Sequence, residues 1–265
     1  MNRALRFSLV LSLGFAASAA FVTASDAQPR RGAPAAEPTT ARAAAPFEIT
    51  GNWVSLITDD WVYRMITPAK GDVSYVPLNA EGRRLAEAWD PARDEAAGEQ
   101  CKGYAAPAIM RLPSRVEISW QDDNTLKLDI DTGMQTRLFR FGQAEPQGAR
   151  SWQGWSTASW QLSGTTEQFY PGPTSLGQIK RAGSLKVDTT NLRAGYLRKN
   201  GVPFSENAFM TEYYTLIVED DGNQYLVIQT FVADPRYLTG HFVRTLQFKR
   251  ERDGSKRNPV PCSAT

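Results

Sequence analysis

Histidine is almost missing from this chain: His241 is the only one among 265 residues, and cysteine occurs twice. One imidazole and two thiols are a poor donor set for zinc, so no metal is expected. There is no Gly-x-Ser-x-Gly, which excludes a serine nucleophile elbow. Nothing reads as a nucleotide or organic-cofactor signature, and no cofactor is expected. Net charge is small as well. Lys and Arg number 30 against 28 Asp and Glu, a balance of +2. A near-neutral chain argues against nucleic acid as a partner. Beyond the N-terminus no apolar run is long enough to cross a bilayer.

What the N-terminus does contain is an export signal. Arg3 and Arg6 precede an apolar stretch from Phe7 to Ala24, and Ser25-Asp26-Ala27 offers small residues at a cleavage site. A transmembrane anchor is the alternative reading. No cysteine lies near the cleavage point, so a lipid anchor is not expected. Residues 28–46 are mostly Ala, Pro, Arg, Thr and Gln without apolar periodicity, the composition of a flexible linker. The expected division is a signal peptide over 1–27, a Pro/Ala-rich linker over 28–46 and one folded domain over 47–265. A periplasmic or secreted location follows. In an oxidising compartment Cys101 and Cys262 most simply form one disulfide; two free thiols are the alternative.

Strand signals dominate the rest. Asn52–Ile57 and Trp61–Ile66 read as two short strands around Thr58-Asp59-Asp60. Val116, Ile118 and Trp120 alternate with polar residues, Asp122-Asp123-Asn124 turns, and Leu126, Leu128 and Ile130 alternate again before Met134–Phe141. Trp152–Leu162 and Leu185–Asn191 continue the pattern, separated by a Gly/Pro-rich loop over 163–183. Arg193–Asn207 reads as loop. Ala208–Glu219, Gln224–Ala233 and His241–Arg250 are long closing strands, the first two joined by Asp220-Asp221-Gly222-Asn223. One helix is expected, capped by Asn79, with Leu85, Ala88 and Trp89 on one face and Pro91 ending it; a further helical turn is an option over 92–100. The absence of βαβ alternation disfavours a parallel sheet. The expected fold is mostly β: an antiparallel up-and-down barrel of about eight to ten strands with one short helical insertion. A two-sheet sandwich is the alternative.

Gly51-Asn52-Trp53 on the opening strand resembles the Gly-x-Trp signature of lipocalins. That resemblance implies a Trp plugging the barrel and a late-strand Arg covering it, a role Arg244 matches. The chain also resembles a family of uncharacterised exported bacterial proteins through Asp90–Cys101, Gly195–Pro203 and the tail Asn258–Cys262. This second resemblance implies an exported, disulfide-bearing domain and no particular activity.

Charge on apolar strand faces is the clearest pointer to chemistry. Ala208, Met210, Glu212, Tyr214, Leu216 and Val218 share one face, and Phe242, Arg244, Leu246 and Phe248 share another. Both are expected to face inward, which obliges Glu212 and Arg244 to find partners, each other being one option. One reading is a structural ion pair with Arg244 over Trp53. The other is a polar ligand site of Arg244, Glu212, Tyr214, Trp53 and Tyr63, with Glu212, Tyr214 and His241 as candidate catalytic groups. Asp59-Asp60 reads as a turn, and neighbours on a strand make a poor catalytic dyad. Arg198-Lys199-Asn200-Gly201 reads as a basic turn, either simply solvated or able to recognise an anion. Three functions remain open: a barrel binding a small apolar or amphipathic molecule in its interior, a cofactor-independent acid/base enzyme, or an envelope structural or interaction protein.

Overall fold

A computed structural model describes residues 40–145, 148–162 and 183–265. The expected signal peptide, most of the linker and the 163–182 loop lie outside these residues. Among the described residues nine strands close a barrel: β1 (Gly51–Leu56), β2 (Arg115–Asp122), β3 (Thr125–Ile130), β5 (Gln135–Phe141), β6 (Trp155–Leu162), β7 (Gly183–Thr190), β10 (Phe209–Val218), β11 (Gln224–Ala233) and β12 (Phe242–Glu251). Around the cylinder the order is β1-β12-β11-β10-β7-β6-β5-β3-β2, and β2 returns to β1. The sandwich alternative is thereby set aside.

The strand count has a directional consequence. Strands that alternate up and down can close a ring only in even number, so nine strands force a parallel joint somewhere. It falls between β5 and β6, paired over Phe139↔Ser156, Arg140↔Thr157 and Phe141↔Ala158. The expectation of a purely antiparallel barrel is corrected to this mixed pairing. Two small pairings lie off the barrel wall: β4 (Thr132–Gly133) pairs with β13 (Val260–Pro261), and β8 (Gly195–Arg198) pairs with β9 (Val202–Phe204).

Period-two alternation fills the lumen. Trp53, Ile118, Leu128, Phe139, Ile228 and Phe248 are among the side chains buried there. At one end Phe47, Trp120, Phe141 and Trp160 add an aromatic floor. Residues 40–46, assigned to the linker by composition, already engage this end. Arg42 donates its N–H to the Asp123 carbonyl, and Trp160 Nε1 donates to the Ala41 carbonyl at 2.8 Å.

The opposite end is capped by the insert between β1 and β2. It contains four α-helices where one was expected: α1 (Trp61–Met65), α2 (Ala80–Glu87), α3 (Pro91–Ala96) and α4 (Ala106–Ile109), plus a 3-10 turn at Gln100–Tyr104. Asn79 caps α2 as expected, its side chain accepting from the Gly82 N–H. The helix stops at Glu87, however, and Pro91 opens α3 instead of ending α2, with Asp90 as its cap. Trp61–Ile66 is the largest local correction. Asp60 enters the left-handed region at φ 53° and starts a helix there, leaving Trp61 64% exposed. A six-residue apolar run does not distinguish strand from helix, and the anchoring of Arg64, described below, decides it.

The 193–207 segment, expected as loop, forms the β8–β9 hairpin and buries Leu197, Val202 and Phe204 under the cap. Its turn is tight. Gly201 has φ +80°, and a Cβ there would lie 2.1 Å from Cγ of Trp89. Gly201→Ala is therefore expected to cost roughly 2–4 kcal/mol, combining left-handed strain with overpacking. Urea denaturation checks this; an unchanged midpoint would mean that the hairpin does not rest on Trp89.

Cys101 and Cys262 are joined by a disulfide, tying the 3-10 turn of the insert to the C-terminal tail. Beside it, Cys262 lies next to the Gly133 carbonyl, and the Ser263 N–H donates to the Tyr104 hydroxyl.

Candidate functional site

Inside the barrel, Glu212 and Tyr214 project from β10 into the lumen, both fully buried. The partner of Glu212 is Arg137 of β5, not Arg244. Arg137 Nη2 donates to Glu212 Oε2 at 2.6 Å and Nη1 donates to Oε1 at 3.1 Å, while the Tyr214 hydroxyl donates to Oε1 at 3.1 Å. Thr189 joins through Arg137 Nη2 at 3.5 Å and meets Ser156 at 2.8 Å. Burial alone would push the Arg137 guanidinium toward neutrality, but the Glu212 carboxylate outweighs it and raises its pKa. Burial and the same carboxylate hold the Tyr214 phenol protonated well above its ordinary range. The group is buried among core side chains, with Thr189 and Ser156 as its remaining polar neighbours, so it works as a bidentate structural ion pair with a phenol attached.

The other sequence candidates do not join it. His241 is exposed on the outer wall, beside a shallow depression lined by Phe209, Thr211, Tyr213 and Phe231. Trp53 is buried and donates its Nε1 to the Ile49 carbonyl at 2.9 Å. The guanidinium over its ring belongs to Arg250, at 4.5 Å, held by the carbonyls of Thr50 and Glu48. Arg250 pairs with Trp53 across the β1–β12 ladder; Arg244 shares that face of β12 but sits toward the opposite end. The Trp-plus-Arg arrangement implied by the lipocalin resemblance is therefore present with Arg250 in the role expected of Arg244.

Arg244 instead belongs to a second constellation at the capped end. Its Nε lies 2.8 Å from Asp60 Oδ2, and Nη2 donates to the Tyr75 carbonyl. The same Asp60 oxygen accepts from Arg111 Nη2 at 3.0 Å. Arg64, drawn inward from α1, donates to Asp59 Oδ1 at 3.0 Å and to the Arg111 carbonyl at 2.9 Å. Arg198 of β8 stacks on the Tyr63 ring at 4.2 Å and donates to the Ser74 carbonyl at 2.6 Å. The turn Asp59-Asp60 is thus an anchor for three arginines. The basic turn at Arg198, read as solvated or anion-recognising, is buried at Arg198 and Asn200.

Crowding of like charge marks this cluster electrostatically. Arg111 is pushed down to about 9 by burial and by repulsion from Arg198, Arg244 and Arg64, against the attraction of Asp60. Arg198 is lowered by burial and by Arg244. These guanidiniums remain charged at neutral pH, so the shifts reflect burial first and repulsion between neighbouring arginines second. Arg64, Arg111 and Arg198 line a hollow of ≈ 150 Å³ whose other walls include Tyr63, Leu112 and Leu197, with Met65 and Ile66 at its rim. Met65 and Ile66 of that rim are exposed to solvent.

Sequence reasoning missed Arg137, Arg64 and Arg111. Arg137 was legible in part, because it alternates with Phe139 and Phe141 on one face of β5. Arg64 and Arg111 carried no local signal, since Arg64 turns inward only from a helix that was not foreseen and Arg111 meets a carboxylate 51 residues away in the chain. Among the described residues no cluster of His, Cys, Asp and Glu could hold a metal, and no helix is long and apolar enough to cross a membrane. No protein-family model, curated protein or solved structure matches the chain.

Proposed function

We propose that this protein is an exported binding barrel that takes a small amphipathic molecule at its capped end, in the hollow beside α1 and β8, and not in its lumen. The lumen is filled by its own side chains, and the Arg137–Glu212–Tyr214 group is sealed among them. One observation carries the reading: a cationic floor of Arg64, Arg111 and Arg198 meets an exposed apolar rim of Met65 and Ile66. A polar base with an oily lip suits a molecule with one polar end and one apolar end. The hollow is smaller than the pockets that enclose drug-sized ligands, roughly 300 Å³ and above, so only part of such a molecule would be enclosed. The export signal and the disulfide support an extracytoplasmic setting.

The filled lumen favours a second reading, an envelope structural or interaction protein. Native mass spectrometry of protein purified from its own periplasm separates the two. Binding predicts a retained small molecule whose occupancy falls in Thr67→Trp, which crowds the hollow. A clean apo mass for the unmodified protein supports the structural reading and overturns the first. Glu212 and Tyr214 are enclosed and His241 is on the outside, a separation that disfavours an acid/base enzyme built on these three groups.

A further inference from the structure

Arg198 is the anomaly of the capped end. It is 2% exposed, yet no carboxylate among the described residues lies within ion-pair distance of it. Asp60 and Asp72 contribute to its field, but Asp60 is held by Arg111 and Arg244 and Asp72 accepts from the Ser74 N–H. Arg198 uses Nη2 on the Ser74 carbonyl, while its Nε and Nη1 have no acceptor. Two ion-paired neighbours lining the same hollow also leave one nitrogen each without an acceptor, Arg64 Nη2 and Arg111 Nε. A buried, unpaired guanidinium costs several kcal/mol unless an anion meets it. Arg64 and Arg111 hold Asp59 and Asp60, so among the described residues Arg198 is the arginine lining this hollow that is left without a counter-charge, and an anion that enters can supply one.

We propose that the hollow holds the oxyanion head of the amphipathic ligand, a singly charged carboxylate or sulfate group received by Arg198 with Arg111 and Arg64 beside it. The inference rests on the proposed binding function and names its ligand chemistry. Arg198 is preorganised to receive an anion, because its plane is fixed against Tyr63 and its position is set by the Ser74 carbonyl. A guanidinium fork offers parallel N–H groups to two oxygens of one head group, which an ammonium does not. Met65 and Ile66 then receive the first methylenes of the apolar tail, which leaves along the exposed side of α1. The basic turn noted in the sequence thereby acquires a ligand, although through its buried first residue and not as a solvated loop.

Isothermal titration with octanoate, octyl sulfate and octanol tests the assignment. Both anions are expected to bind, and octanol to bind at least about tenfold more weakly, the scale of one charge-assisted hydrogen-bond pair. Arg198→Met is expected to bring octanoate and octyl sulfate down to the level of octanol without weakening octanol itself. The variant keeps a long apolar side chain and removes a charge without an ionic partner, so its unliganded stability should match or exceed that of the parent. A thermal shift with octanoate and none with octanol gives the same answer on the parent protein alone. Equal binding of octanol and octanoate would overturn the oxyanion assignment and leave amphipath binding standing. Binding of none of the three overturns both. Preference for one anion over the other distinguishes a planar from a tetrahedral head.

Discussion

Glu212→Ala is expected to destabilise the barrel by about 3–5 kcal/mol, because it leaves the Arg137 guanidinium buried with no counter-charge. Arg137 has no water-exposed surface into which it can retreat, and its only carboxylate partner among the described residues is Glu212. The Tyr214 hydroxyl loses its acceptor in the same variant. A loss of that size approaches half the stability of an ordinary domain, so the variant should be recovered in low yield or unfold at low urea. The double variant Arg137→Met, Glu212→Leu makes the result specific. With both charges gone and similar volume retained, it should recover most of the loss, since an ion pair in a dry interior contributes little net stability over an apolar replacement. Urea unfolding of the single and double variants completes the cycle. A single-variant loss below about 1 kcal/mol would show that water reaches the pair and that the lumen is open after all.

Opening the disulfide should have an effect of comparable size. The bond joins residues 161 apart, and closing a loop of that length stabilises by about 5 kcal/mol on the chain-entropy account. Cys101→Ser with Cys262→Ser should therefore shift the urea midpoint strongly. Its structural consequence is local as well. The tail is held by the short β4–β13 pairing, by the Ser263 N–H to Tyr104, and by the contact of Lys199 with the Thr265 carbonyl. Without the covalent tie the tail should become the first segment clipped by protease. Lys199 and Tyr104 also line the hollow, so on the proposed function octanoate binding should weaken together with tail protection. An unchanged urea midpoint on reduction would show that noncovalent contacts alone restrain these ends.

Much of the barrel was legible because its signals are local. Alternation in Val116–Trp120 and Leu126–Ile130, broken by Asp122-Asp123-Asn124, reports a hairpin without reference to anything distant, and β2 and β3 pair as read. The same parity correctly put Glu212 and Tyr214 inside and Phe209 and Ile217 outside. Which inward arginine meets Glu212 is a question of registers around the whole cylinder. No periodicity carries that information, and so Arg137 was passed over for Arg244. Arg250 and Arg244 share a face of one strand, and only the β1–β12 register says which covers Trp53. At the capped end local signals pointed the wrong way. Trp61–Ile66 has the composition of a strand, and Arg198-Lys199-Asn200-Gly201 has the composition of a wet turn. Burial of Arg64 and Arg198 is decided by Asp59, Tyr63 and the Ser74 carbonyl once the insert has folded over the barrel.

The odd strand count leaves a mark on how the cylinder comes apart. Its like-directed joint between β5 and β6 is stitched over three residue pairs, whereas β10 and β11 are stitched over ten. Thermal breathing will concentrate at that short seam. A parted seam converts the closed wall into a curled ribbon with two bare margins, each presenting unsatisfied backbone groups to any neighbouring chain. Self-association of partly opened molecules would then begin along β5 and β6, however well the remaining staves hold.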